Sequence, residues 1–163
     1  MNRRSLLSCA AAALLSFAPM AHAEDGVILT INDGYTGTTT TFTEEELAAL
    51  PQQSFETTTV WTEGETSFSG PSLSDVLDAA GVAEAASGLR VYAINDYNVL
   101  FPAENIEEDA PILARRINGE PFSVRDKGPL WLIFPFDLDT RYQSEDIFAL
   151  SVWQLTQIDV LTD

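Results

Sequence analysis

Arg115, Arg116, Arg125, Lys127 and Arg141 fall within one short stretch of an otherwise acidic chain. The sequence holds 8 Lys+Arg against 25 Asp+Glu, a formal net charge of −17. If these five cations converge, they form a local anion site, because a guanidinium offers a planar fork of donors to an oxyanion. The competing reading is that they pair with neighbouring acids such as Glu120, Asp126 and Asp139, as surface charges commonly do. Asp96 and Tyr97 stand at a strand interruption, where loop residues can face a site. The alternative there is a plain Asn-Asp turn with a packed tyrosine.

Other chemistry is narrowed by what the chain lacks. Its one cysteine is Cys9 and its one histidine is His22. Both fall in a leader that reads Met1-Asn2-Arg3-Arg4, an apolar run from Leu6 to Ala18, and Ala21-His22-Ala23. A basic start, a short apolar run and a small-x-small site predict a signal peptide over residues 1–23. Cleavage near Ala23 would leave one domain, residues 24–163, in the periplasm or secreted medium. Arg3-Arg4-Ser5-Leu6-Leu7 resembles a twin-arginine signal, with an ordinary secretory signal as the alternative. The expected mature domain has no thiolate and no imidazole. A His-based triad and a Cys/His zinc site are then excluded.

Loss of Arg3 and Arg4 makes the mature charge two units more negative. Such a field repels nucleic acid. No later segment is long and apolar enough for a membrane anchor. The acid runs Glu44–Glu46 and Glu104–Asp109 lack the glycine-bearing pattern of a calcium loop and read as solvated faces.

The elements that must carry these residues are mostly strands. Val27 to Ile31 alternates into Asn32-Asp33-Gly34, and Thr38 to Thr41 suits a second strand. Thr43-Glu44-Glu45-Glu46 has the spacing of a capping box, with a short helix ending before Pro51. Ser54 to Trp61 and Thr66 to Ser69 read as strands joined at Glu63-Gly64. Ser72 or Ser74 starts a helix with Leu73, Val76 and Leu77 on one face, stopped by Gly81. Leu89 to Ile94 and Tyr97 to Phe101 flank Asn95-Asp96. Ile112 to Ile117 and Pro121 to Val124 flank Asn118-Gly119, a hairpin-turn signal. Leu130 to Phe134 is a buried strand, Thr140 to Asp146 a polar loop, and Ser151 to Leu161 a closing strand. The class is α+β, a mixed β-sheet with short helices. Trp61, Trp131 and Trp153 are expected in the core or at its rim.

These pieces in this order resemble the molybdopterin-binding domain of the sulfite oxidase family, and in particular its small exported single-domain members. The resemblance is carried by Thr43-Glu44-Glu45-Glu46-Leu47-Ala48-Ala49-Leu50-Pro51 and by Phe68-Ser69-Gly70-Pro71-Ser72-Leu73-Ser74-Asp75-Val76-Leu77. It continues through Asn95-Asp96-Tyr97, Ile112-Leu113-Ala114, Asn118-Gly119-Glu120-Pro121, Gly128-Pro129-Leu130 and Val152-Trp153-Gln154-Leu155. It implies a site built around one metal-ligating cysteine, a histidine that helps hold the pterin, and late lysines that meet the cofactor phosphate.

This chain departs at all three. Thr57 or Thr58 stands where the cysteine would be, and a threonine hydroxyl is neither charged nor soft. Asp126 stands near the histidine position, and Leu150-Ser151-Val152-Trp153 replaces the lysine element. The expectation is a kept fold without the molybdenum cofactor and with no metal. Such an exported module would bind a small anion or an exported partner protein. Its ligand cleft would draw on Asp96, Tyr97, Arg115, Arg116, Arg125, Asp126, Lys127 and Arg141. The alternative is a molybdopterin-dependent oxidoreductase, so whether the chain is an enzyme stays open.

Overall fold

The computed structural model describes residues 26–82 and 87–162. The expected signal peptide, with Cys9, His22 and the cleavage point near Ala23, lies outside the described residues. Strands predominate, as their β-branched and aromatic content requires. The largest sheet has five strands: β1 (Val27–Asp33), β2 (Thr39–Thr43), β5 (Leu89–Ala93), β6 (Asn98–Phe101) and β10 (Leu155–Val160). Their order is β2-β1-β10-β5-β6. The last strand, β10, lies parallel to the first, Ile31 opposite Ile158, and antiparallel to β5, Ile158 opposite Val91. The sheet is therefore mixed, and the first and last of the described strands pair in its interior.

A second sheet joins β3 (Gln53–Thr58), β4 (Glu65–Gly70) and β8 (Arg116–Ile117) in that order. A third pairs β7 (Ile112–Ala114) with β9 (Trp131–Ile133), both wholly buried. Leu29, Ile31, Phe68, Leu73, Trp131, Phe134 and Ile158 belong to one continuous core that all three sheets feed. Each such side chain contributes roughly 1.5–3 kcal/mol by leaving water.

The helices are short and start where their caps dictate. Helix α1 (Glu44–Ala49) opens on the capping box: the Glu46 N–H donates to Thr43 Oγ1 at 3.3 Å and the Thr43 N–H donates to Glu46 Oε2 at 2.8 Å. Helix α2 (Leu73–Ala79) is capped by Ser72 and buries Leu73, Val76 and Leu77. Helix α3 (Glu145–Leu150) is capped by Ser144, which accepts from the Ile147 N–H at 3.3 Å. Among the described residues, no helix is long and apolar enough to cross a membrane.

Three sequence expectations need correction. The 112–117 run is two strands, because its pairing changes partner at Arg115. Before it, Leu113 and Ala114 face β9; after it, Arg116 and Ile117 face β4. The Asn118-Gly119 turn forms with both residues at positive φ, 51° and 83°, but the hairpin stops after the Ile117–Glu120 bridge. Pro121 has no N–H to extend a ladder, and residues 124–126 turn into a 3₁₀ segment instead. The polar stretch 140–146 is not simply a loop, since Ser144-Glu145-Asp146 carries the cap and first turn of α3.

Candidate functional site

Strand β3 delivers Thr57 and Thr58 to its end, one pointing in and one out, as alternation demands. Thr57 is fully buried and Thr58 exposed. Both meet Asp137, which follows the buried Phe134-Pro135-Phe136 segment. The Asp137 backbone N–H donates to Thr57 Oγ1 at 3.0 Å. The Thr58 N–H donates to Asp137 Oδ2 at 2.5 Å, and the Thr58 hydroxyl reaches both carboxylate oxygens at 2.9 Å. The Thr58 N–H first, then its hydroxyl, hold the Asp137 carboxyl below the usual carboxylate range. Both hydroxyls at the expected metal-ligand position are thus committed to one aspartate.

A cleft of about 290 Å³ beside this clasp is lined by Thr58, Thr59, Val60, Phe136, Asp137, Gln143 and Phe148. Phe148 also borders a larger cleft of about 430 Å³, with Trp61, Ala93, Asn95, Tyr97, Ala149, Ser151, Val152 and Trp153. Its wall is aromatic. Trp61 meets Phe148 edge-on at 5.9 Å and Trp153 at 5.8 Å, and the buried Trp131 backs both tryptophans. Sequence reasoning placed Tyr97 at a cleft, and Tyr97 does line this one. Asp96, at φ 64°, sits on the turn between Asn95 and Tyr97. The wall of Trp61, Phe148 and Ser151 to Trp153 was missed, because the cleft is built from three segments far apart in the chain, around residues 61, 93–97 and 148–153. The one available signal was that 150–153 had exchanged lysines for an apolar run.

Three of the five cations are taken up by acids. Arg115 and Arg116 both grip Glu44 of α1, at 2.6 and 2.9 Å. Arg141 pairs with Glu107 at 2.8 Å and Asp139 at 3.6 Å, and its guanidinium lies 4.6 Å from the Tyr142 ring centre. Of the expected partners, Asp139 is used. Asp126 accepts from the Ser123 hydroxyl at 2.7 Å rather than from a base, and Glu120 takes no part in an ion pair among the described residues. Arg125 and Lys127 remain without an ion pair among the described residues. Their turn is pinned from Gln154, whose side-chain amide donates to Val124 O at 2.6 Å and whose backbone N–H donates to Lys127 O at 2.9 Å. Lys127 Nζ rests 5.9 Å from the Trp131 ring centre.

Residues 18–141 match the family model described as the oxidoreductase molybdopterin binding domain. The chain belongs to this family. In fold it is similar to the sulfane dehydrogenase SoxCD from Paracoccus pantotrophus, with a TM-score of 0.62 at 20% identity over 83% of this chain. It spans 38% of the length of that chain. No curated protein matches the sequence. The expected α+β class with a mixed sheet and a sulfite oxidase-like fold is what the structure has.

At the positions that the resemblance assigns to the family's cofactor, the residues present do not fit it. The metal ligand that the resemblance implies is a cysteine thiolate, soft and ionised, whereas Thr57 and Thr58 offer hydroxyls already bonded to Asp137. The cofactor's phosphate is anionic, yet the one ionisable group lining the smaller cleft is the Asp137 carboxylate, and no ionised side chain lines the larger. Segment 151–153, where the resemblance places phosphate-binding lysines, supplies serine, valine and tryptophan. Among the described residues no three His, Cys, Asp or Glu side chains are grouped to hold a metal ion.

Proposed function

We propose that this chain is an exported member of the molybdopterin-binding family that works without the molybdenum cofactor, as a binding module for a small anion or an exported partner protein. The observation that supports this reading is the clasp of Thr57 on the Asp137 N–H and of Thr58 on the Asp137 carboxylate, at the residues where the resemblance implies a metal ligand. Arg125 and Lys127 are the docking point, because they are the basic residues of the 115–141 stretch left without an acid partner. Arg115, Arg116 and Arg141 hold the fold's surface together instead.

The test is the composition of protein purified from its exported compartment. The expected result is neither stoichiometric molybdenum nor a fluorescent pterin on oxidation. Finding both at near one per chain overturns the reading. Family membership keeps the oxidoreductase alternative in play, and Thr57→Cys and Thr58→Cys separate the two. A site that still holds the cofactor gains redox activity on regaining a thiolate, whereas a site that has lost it stays silent.

A further inference from the structure

The larger cleft is not used by the Arg125–Lys127 reading. At about 430 Å³ it is of small-molecule size. Its wall is lined by four aromatic residues, Trp61, Trp153, Phe148 and Tyr97. Trp153 and Tyr97 are open to solvent, 36% and 52% exposed. The polar groups at the wall are few and partly spent. The Ser151 hydroxyl donates to Ile147 O at 3.2 Å, and Asn95 Oδ1 accepts from the Tyr97 N–H at 3.3 Å. A ligand that needs an array of hydrogen bonds finds little here.

Acids and bases both stand near the cleft, and Arg90 is bonded to Asn98, next to the lining Tyr97, at 3.0 Å. Asp96 lies between two lining residues, Asn95 and Tyr97. Glu145 and Asp146 stand four and three residues before the lining Ala149 on α3, hence on its face of the helix. All three acids are exposed, and none makes an ion pair among the described residues. Lys127 is not among the lining residues, although its carbonyl accepts from Gln154, next to the lining Trp153; its ammonium lies over Trp131, which is fully buried behind the wall.

From this geometry we infer that the cleft binds a small organic cation of the quaternary-ammonium class, about the size of choline. Aromatic faces attract such an ion through the ring quadrupole, and a quaternary nitrogen has no N–H to satisfy. The net negative charge of the chain as a whole raises its local concentration. The site is distinct from the Arg125–Lys127 turn, and its ligand has the opposite charge.

The experiment is a titration of the purified protein with choline chloride, followed by tryptophan fluorescence and calorimetry. The paired probe is 3,3-dimethyl-1-butanol, the same shape with carbon in place of the charged nitrogen, and sodium chloride at equal concentration is the blank. Choline is expected to saturate, and to bind at least about tenfold more tightly than the neutral alcohol, as a cation–π site requires. Trp153→Leu is expected to weaken choline about tenfold while the thermal melt stays cooperative. Should that variant fail to fold, Tyr97→Leu, at a more exposed position, is read the same way. Equal affinity for the two probes makes the cleft a neutral apolar pocket and overturns the inference. So does the absence of a saturable signal, or a folded variant that binds choline like the unaltered protein.

Discussion

Thr58 holds the Asp137 carboxylate with its backbone N–H at 2.5 Å and its hydroxyl at 2.9 Å, across 79 residues of chain. Together with the Thr57 hydroxyl, which accepts the Asp137 N–H at 3.0 Å, it ties the end of β3 to the segment after β9. This tie stands where the family resemblance places a metal-binding cysteine.

Thr57→Val keeps the shape of the buried side chain but leaves the Asp137 N–H without its acceptor. An unsatisfied donor of this kind costs about 1–3 kcal/mol. Urea unfolding curves of Thr57→Val and Thr57→Ser should differ by that amount, with the serine variant near the unaltered protein.

Asp137 also predicts a pH dependence. Hydrogen bonds from Thr58 lower its folded-state pKa below the unfolded value. Its contribution to stability is therefore present above the ordinary carboxylate pKa and lost as pH falls through the lowered value. The unfolding midpoint should drop as pH is taken from about 5 to about 2, and Asp137→Asn should flatten that part of the profile. An unchanged profile in Asp137→Asn would assign the acid sensitivity to other groups, such as Asp33, whose carboxyl is lowered by the Thr36 hydroxyl and the Tyr35 N–H.

Gly70→Ala should be far more damaging than Gly37→Ala. A Cβ at Gly70 would meet the Leu113 carbonyl oxygen, with Leu113 C at 2.7 Å, where β4 crosses the buried β7. Backbone cannot step aside cheaply, so the cost is at least the roughly 1–3 kcal/mol of an overpacked core. Gly37 has a φ of +72° with open space around it, so alanine there pays only the left-handed backbone cost of about 1–2 kcal/mol. Thermal melts of the two variants give the comparison.

Replacing both Arg125 and Lys127 with alanine should change stability by less than about 1 kcal/mol, as neither completes an ion pair. Binding of the anion or partner should be lost, and in the unaltered protein it should weaken with rising salt. Glu44→Ala, by contrast, removes the acid shared by Arg115 and Arg116, and Arg115 is only 12% exposed in its side chain. It should cost on the order of 1 kcal/mol or more in urea unfolding, with binding intact. Retained binding in the Arg125/Lys127 variant would move the docking point elsewhere.

What the sequence determined by itself was local. Thr43 and Glu46 make their capping box because both partners lie within one helical turn. Leu73, Val76 and Leu77 share a face because helical spacing puts them there. The family could be read from the order of such segments, and the want of a thiolate among the described residues from composition, since Cys9 is the one cysteine. Tertiary structure decided everything that depends on which segments meet. Nearness in sequence suggested that five cations converge. The fold instead sends Arg115 and Arg116 to Glu44, 71 residues from Arg115, and Arg141 to Glu107, 34 residues away. The clasp on Asp137 and the aromatic cleft were illegible for the same reason. Each joins side chains from segments distant in the chain, and a hydrogen bond or a cleft wall is set by distance in space, which residue spacing encodes only within a helix turn or a hairpin.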